Sequence, residues 1–425
     1  MPAWTREAIV IKWARCLARI ALTGLCAIVL LVVAFIGYVQ LTWNRPVARS
    51  VVPMNASLDT ARVLRGKYLY ERSMLCWNCH GSHGSHSPTE PQAGGREFDL
   101  SRVGPGFGYV YGSNLTPDLE TGVGRWTDGE LVRAIREGIS RDGHLIFPVM
   151  AYPFYHGLSD DDALSLVAYI RTMPPVRNEV PARRLSFAAR TLMAVSLMKP
   201  EAPITQPVSA PRAGASAEYG EYVVWRMSGC AECHTPRNPK TARLDLNRRM
   251  SGGLFPFPEE DFYTTGPNLT ADVDTGLGSW TEEQFVRAMQ TGVRPNGTVM
   301  LPFMPWPAYA QWDRNELHAI WIYLRSLKPV SHRVTASTFV GAAANAKGSA
   351  RGQAMYRSYC LTCHGDKGTG SPFTSSVLKD AVRDVDNAAL VTLIEEGLPG
   401  TSMPAFKNTL GKDQIGDVVE FVRSW

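Results

Sequence analysis

The 425-residue chain has little net charge for its length: 44 Lys and Arg against 39 Asp and Glu leave +5, spread along the sequence. Without a strong excess of one sign there is no electrostatic footprint for nucleic acid, and none is expected as a partner. Between Ile20 and Leu41 charge is absent altogether, and this almost wholly apolar run is long enough as a helix to cross a bilayer's hydrocarbon layer. No clean small-x-small cleavage site follows the run, which also exceeds a usual signal core, so an uncleaved anchor is expected rather than a removed leader. Arg6, Lys12, Arg15 and Arg19 precede it and only Arg45 and Arg49 follow closely, a bias that keeps the N-terminal side cytoplasmic. The rest of the chain would then lie in the periplasm, held to a bacterial inner membrane by a single pass.

Cysteine is sparse too, with 8 in the chain, and two of these, Cys16 and Cys26, lie before and within the apolar run, where no disulfide or redox role is assigned. The other six stand in three copies of one pattern: Cys76, Cys79 and His80; Cys230, Cys233 and His234; Cys360, Cys363 and His364. In Cys-x-x-Cys-His the two thiols can form thioether bonds to one porphyrin while the adjacent imidazole reaches its iron. Zinc or a structural disulfide explains a lone Cys-x-x-Cys, but not three with the same trailing histidine. Three covalently bound haem c groups are the expected cofactors, and electron transfer the expected work.

With 45% hydrophobic residues over this length, two to four compact units are expected. A shift of 154 residues, from Cys76 to Cys230, superposes the first two haem regions without a gap. Gly66 falls on Gly220, Tyr68 on Tyr222, Asn114 on Asn268, Trp126 on Trp280, Arg133 on Arg287, Tyr169 on Tyr323 and Pro175 on Pro329. Each copy opens with a helical pattern, Ala61 to Ser73 and Glu218 to Met227, that delivers the cysteines from its C-terminal end. Trp126-Thr127-Asp128 signals an N-cap for an amphipathic helix from Gly129 to Glu137, and closing helices start near Ser159 and Asp313.

The fold class is therefore mainly α, three tandem haem-binding domains behind an N-terminal transmembrane helix. The boundaries read as residues 1–50 for the cytoplasmic segment and anchor (span about 20–41), 58–178 for domain 1, 179–211 for a linker, 212–330 for domain 2, 331–347 for a second linker and 348–425 for domain 3. Within the first linker Leu185 to Met198 is apolar with few charges, and packing between the first two domains is expected to explain it, with a membrane or partner contact as the alternative. The Asn-Leu-Thr triplets match glycosylation sequons, but a repeated haem loop accounts for them and no glycan is assigned.

The sixth ligand decides what a histidine-bound haem does: an empty position binds small molecules, whereas methionine closes the iron and raises its potential. Met150 stands 70 residues after His80, and Met304 stands 70 residues after His234, each in a loop stiffened by prolines. Met300 is the runner-up for the second site. In the third domain Met403, within Gly400-Thr401-Ser402-Met403-Pro404, is the partner expected for His364. His83 and His86 follow the first motif in a glycine-serine loop read as solvent-exposed, and His144, His156, His318 and His332, without repeat partners, read as surface residues.

At Tyr111-Gly112-Ser113-Asn114-Leu115-Thr116-Pro117-Asp118, through Thr121-Gly122-Val123-Gly124-Arg125-Trp126-Thr127, and at the Met150 and Met304 loops, the chain resembles the multihaem (triheme) cytochrome c subunits of membrane-bound bacterial dehydrogenases. That family serves alcohol, gluconate, sorbitol and aldehyde dehydrogenases. The likeness runs from about Leu58 to Trp425. It implies haem bonds at the six motif cysteines, proximal His80, His234 and His364, and distal Met150, Met304 and Met403. It also implies a catalytic dehydrogenase subunit of flavin, quinone or molybdenum type as donor, and ubiquinone or a terminal oxidase as acceptor. No flavin, pterin or quinone cofactor fingerprint stands in the sequence, so this chain is expected to be an electron-transfer subunit and substrate oxidation to occur elsewhere. A haem enzyme reducing a small molecule at an open iron, and a stand-alone electron shuttle, are the alternatives.

Overall fold

The structure is a computed structural model that describes residues 6–425 except 82–87, 89, 101–105, 240, 242, 255–261, 372, 375 and 376. The chain is mainly helical, and its few strands are short. An apolar helix, Arg6–Thr42, comes first, and from Ile11 to Thr42 it is long and apolar enough to cross a membrane. It is therefore longer than the expected span of about 20–41, the extra turns coming from the basic N-terminal flank.

The same helix crossing occurs three times. In the first unit the opening helix Thr60–Tyr68 meets the closing helix Asp160–Thr172; in the second Ala217–Tyr222 meets Arg314–Ser326; in the third Gly348–Met355 meets Lys412–Val422. Each crossing turns on one glycine. A Cβ added at Gly66 would stand 1.8 Å from the Ser165 carbonyl oxygen, at Gly220 2.0 Å from that of Ala319, and at Gly352 2.0 Å from that of Asp417. Only a residue without a side chain lets the two backbones approach this closely. Tyr169, Tyr323 and Phe421 pack their Cβ atoms against the same three glycines.

Each opening helix then widens into a π turn: Leu69–Ser73, Val223–Met227 and Tyr356–Cys360. The turn re-aims the chain so that a short helix, carrying the cysteines and histidine, leaves at a new angle. The sequence pattern reads as continuous helix here, because apolar periodicity does not separate a wide turn from a regular one. The caps fall where the residues predict. Thr127 accepts from the Glu130 amide in a full capping box, Ser159 from that of Asp162 and Asp313 from that of Asn315.

The first two units share one core, and they meet across an approximate two-fold relation. Tyr222 of the second unit donates to Asp162 of the first at 2.7 Å, while Tyr68 of the first donates to Glu316 of the second, the residue 154 positions after Asp162. Arg65 bridges both carboxylates, at 2.8 Å to Asp162 and 3.5 Å to Glu316, and Tyr219 donates to Glu316 at 3.1 Å. The third unit has its own core around Met355, Tyr356, Phe406, Ile415 and Val418, to which Val299 of the second unit contributes.

Both linkers are more structured than their composition implied. Arg184–Leu185 adds a third antiparallel strand to Glu97–Asp99 and Gly108–Tyr111, and Phe187–Ala194 is helical. Leu185 to Met198 does not pack between the first two units: it lies against the first unit and the C-terminal end of the apolar helix. Thr338–Phe339 of the second linker pairs with Phe262–Tyr263, so it too is tied to a unit rather than free.

Replacing Gly352 with valine forces the third crossing apart, and about 1–3 kcal/mol of stability is expected to be lost, read as a lower urea midpoint for the unfolding of the third unit. Glu316→Ala leaves Tyr68, Tyr219 and Arg65 without their shared acceptor; because Arg65 is 31% exposed, the expected cost is at the low end for a buried pair, roughly 2–3 kcal/mol, in the unfolding midpoint of the first two units.

Candidate functional site

The six motif cysteines are free thiols, and burial pushes their pKa values up, Cys76 and Cys360 to about 12 and Cys363 to about 11. Among the described residues no group of three or more His, Cys, Asp and Glu side chains is arranged to hold a metal ion by itself. Cys16 and Cys26 sit exposed on the apolar helix, far in sequence from every motif.

Two of the three motif histidines are held in the same orientation. His80 Nδ1 lies 2.9 Å from the Ser113 carbonyl oxygen, and His234 Nδ1 lies 2.9 Å from that of Pro267, the matching position in the repeat. An imidazole that donates from Nδ1 to a carbonyl presents a bare Nε2, the form that ligates a metal, and the partner fixes both tautomer and ring plane. Burial lowers the pKa of His80, His234 and His364, which keeps each ring neutral. In the third unit His364 Nδ1 is buried with no hydrogen-bond partner.

Glycine shapes the wall behind each of the first two motifs. A Cβ at Gly112 would stand 2.0 Å from the Cys79 carbonyl oxygen, and one at Gly266 would stand 2.2 Å from that of Cys233. The loop can therefore press flat against the motif helix, which brings the Ser113 and Pro267 carbonyls to the histidines. The next residues pin the loop. Asn114, buried, donates to the Val176 carbonyl at 2.9 Å and accepts from the Thr116 amide at 2.9 Å; Asn268 does the same with Val330 at 2.7 Å and Thr270 at 2.9 Å. The Asn-Leu-Thr triplets are internal pins.

The methionine loops adopt one turn in both repeats. The Met150 amide donates to the Phe147 carbonyl at 3.1 Å and its carbonyl accepts from Tyr152; the Met304 amide donates to Leu301 at 3.0 Å and its carbonyl accepts from Trp306. Met150 and Met304 pack half-buried against the shared core that contains Trp77 and Ala231 of the motifs. Met300 sits elsewhere: its amide donates to the Gly292 carbonyl as Ile146 donates to Gly138, so it occupies the isoleucine position of the first repeat. Met403 packs against the third core with Tyr359, Cys360 and Leu361, its amide held by the Thr401 hydroxyl at 3.1 Å.

Several contacts at and around the motifs escaped the sequence reading. Tyr155 and Tyr309, a repeat pair, are buried in the shared core at the junction of the first two motifs, where burial and then the neighbouring cysteines push each hydroxyl's pKa well up. Trp77, inside the first motif, packs against Phe373 of the third unit at 6.2 Å between ring centres. The four histidines read as surface residues are half-buried and partnered. His332 occupies the position of Asn178, and both anchor the segment after the closing helix, His332 to Ser251 at 2.7 Å and Asn178 to Ala93 at 2.9 Å. His318 pairs with Glu282 at 2.5 Å, His156 with the Arg136 carbonyl at 3.2 Å, and His144 with Asp142 at 3.6 Å. His83 and His86 lie outside the described residues.

Comparison with known proteins bears on the identity of these sites. Residues 63–174 match the cytochrome c family, and residues 348–422 match the family described as cytochrome C oxidase, cbb3-type, subunit III. The cytochrome c subunit of the quinone-type alcohol dehydrogenase of Gluconobacter oxydans is 30% identical over 86% of this chain and 78% of its own length. The cytochrome c subunit of gluconate 2-dehydrogenase from Pantoea cypripedii is 30% identical over 86% of both chains. A nicotinate dehydrogenase subunit of Pseudomonas putida is also 30% identical over 90% of this chain, which spans 32% of that longer protein. The chain belongs to the multihaem cytochrome c subunits of membrane dehydrogenases. As a member it binds haem c covalently and transfers electrons within a dehydrogenase complex. The carbonyl-held histidines of the first two motifs, the cysteines free of disulfides and the flat glycine walls of this cytochrome fit such a group.

The repeat register makes a sharp test of the distal ligand. Met304→Ala is expected to change the optical spectrum of the second haem and lower its potential, while Met300→Ala leaves both near the parent values; equal effects in a spectroelectrochemical titration would contradict the assignment.

Proposed function

We propose that this cytochrome is a membrane-anchored relay with three covalent haems, held at Cys76 and Cys79, Cys230 and Cys233, and Cys360 and Cys363. His80, His234 and His364 are the proximal ligands and Met150, Met304 and Met403 the distal ones. Haem c, when bound, supplies reversible one-electron chemistry. The chain's own residues fix it: the Ser113 and Pro267 carbonyls hold two of the imidazoles. The observation that carries the reading is that one architecture, a glycine crossing followed by a π turn and a Cys-x-x-Cys-His helix, is built three times.

The donor in this proposal is a periplasmic catalytic subunit of flavin, quinone or molybdenum type, because the relatives are named as subunits of alcohol, gluconate and nicotinate dehydrogenases. The acceptor is ubiquinone in the membrane or a terminal oxidase. The domains are residues 58–178, 212–330 and 348–425, with segments 179–211 and 331–347 between them.

Retention of the N-terminal helix is favoured by its docking. Val39 is fully buried, and the stretch that follows the helix is laced onto the first unit: Val47 donates to the Gly143 carbonyl at 2.8 Å and Arg49 pairs with Glu137 at 2.6 Å. A helix destined for removal needs no such seat. The bias of Arg6, Lys12, Arg15 and Arg19 sets the N-terminus in the cytoplasm and the haem units in the periplasm.

Intact-mass measurement of the full-length protein from a host with haem-attachment machinery is expected to show three haem additions and an unprocessed N-terminus; fewer additions would refute the triheme reading. The isolated chain is expected to oxidise no alcohol, aldehyde or sugar, and turnover by the polypeptide alone would make it an enzyme.

A further inference from the structure

The segment Leu185–Met198 packs behind the Met150 loop on one side but supplies no haem ligand of the proposal, and it carries exposed apolar side chains in a place fixed by the N-terminal helix. Phe187 packs edge-on against Phe35 at 6.4 Å between ring centres, Tyr38 donates from its hydroxyl to the Ala194 carbonyl at 3.1 Å, and Arg190 reaches the Gln40 side chain at 3.2 Å. These partners lie in the last two turns of the apolar helix. At 1.5 Å per residue, Phe35 is only about 10 Å from the end of the span at Thr42. Whatever packs beside Phe35 and Tyr38 shares their depth.

The face turned away from the protein is apolar. Phe187 remains 41% exposed beyond its contact with Phe35, Val195 is 42% exposed and Leu197 71%. Leu197 is displayed by a tight turn: Ser196 takes a left-handed conformation at φ 59°, and the amides of Leu197 and Met198 both return to the Leu192 carbonyl. Holding serine there costs energy that an ordinary loop would avoid. The segment itself is basic. Arg183, Arg184, Arg190 and Lys199 flank the patch, no acidic residue stands between Glu179 and Glu201 in sequence, and Arg184 pairs with Glu97 of the neighbouring strand at 3.5 Å. Arg183 and Arg190 lie over the Trp43 ring, at 5.3 and 5.1 Å from its centre, where the helix leaves its apolar stretch. An apolar face, a cationic rim and interfacial Trp and Tyr are the features of a helix lying in the plane of a membrane surface.

We propose that Phe187–Ala194, with the turn through Met198, is a second membrane contact, inserted in the headgroup and acyl boundary of the leaflet on the haem side. Its occupant is lipid, because the face continues the lipid-facing surface of the neighbouring span. The proposal rests on the reading of Ile11–Thr42 as a membrane span. Two contacts fix an orientation where one hinge does not, so the first haem unit is seated on the bilayer at a set tilt.

The test places a photoreactive diazirine residue, one position at a time, at Phe187, Leu197, Ile36 or the exposed Leu246 of the second unit, in the full-length holoprotein within membranes of the expressing cell. Lipid adducts at positions 36, 187 and 197 and none at 246 are expected. Adducts at 36 with only water quenching at 187 and 197 would overturn the second contact and leave the span intact. Adducts to a protein at 187 and 197 would assign the face to a partner subunit and also overturn the proposal. Absence of lipid adducts at 36 would instead sink the reading of the span.

Discussion

The close approach of two helix backbones at a single glycine is the constraint on which the rest of the molecule is built. At Gly66, Gly220 and Gly352 a side chain of any size would occupy the space of a carbonyl oxygen on the closing helix. With the crossing set, the direction of the opening helix is set, and the π turn that follows can place a Cys-x-x-Cys-His helix at a defined angle to it. The second close approach, Gly112 and Gly266 against the motif carbonyls, then brings a loop carbonyl within hydrogen-bond reach of the histidine. Each step narrows the next. The imidazole's orientation is thus a consequence of helix packing nearly one closing helix away.

The duplication adds a second level of order. Two copies related by 154 residues pack through a shared patch used twice, which makes Tyr68 to Glu316 and Tyr222 to Asp162 the same contact made in opposite directions. Self-complementary pairing of this kind is the geometry of a symmetric dimer retained within one chain. The cluster buries two carboxylates, and Arg65, sitting where the repeat has Tyr219, supplies one positive charge between them. That departure from symmetry relieves a repulsion between the two carboxylates. The same packing sets Tyr155 and Tyr309 in the seam between the two motifs. The third unit shares the crossing but not the patch, and it joins through other contacts, Trp77 to Phe373 and the Val299 amide to Thr409 at 2.7 Å.

Much of this was legible in residue order because the chemistry is local. The three motifs, the caps at Thr127, Ser159 and Asp313 and the matched Met150 and Met304 turns depend on residues a few positions apart or on a register that the repeat exposes. What escaped depends on tertiary placement. The π turns have the same apolar spacing as regular helix. His332 looked isolated because its repeat partner is Asn178, a different side chain doing the same anchoring. The third crossing was hidden because Gly352 stands eight residues before Cys360 whereas Gly66 and Gly220 stand ten before their cysteines, so the glycine falls outside the repeat register. Leu185 to Met198 was misplaced between domains since composition reports that a segment is apolar, not which surface lies beside it.

The placement of that segment explains why the first unit, rather than the second or third, is the one seated on the N-terminal apolar helix. The stretch after the helix is bound to the first unit at Val47, Arg49 and Ala56, the last donating to Asp128 at 2.8 Å, and the strand Arg184–Leu185 closes the same unit's small sheet from the other direction. Two chain segments far apart in sequence therefore grip one unit and hold it against the helix. The second unit is fixed to the first by a buried core and the ion pairs of the half-buried Arg65, and the third is fixed through smaller contacts to both.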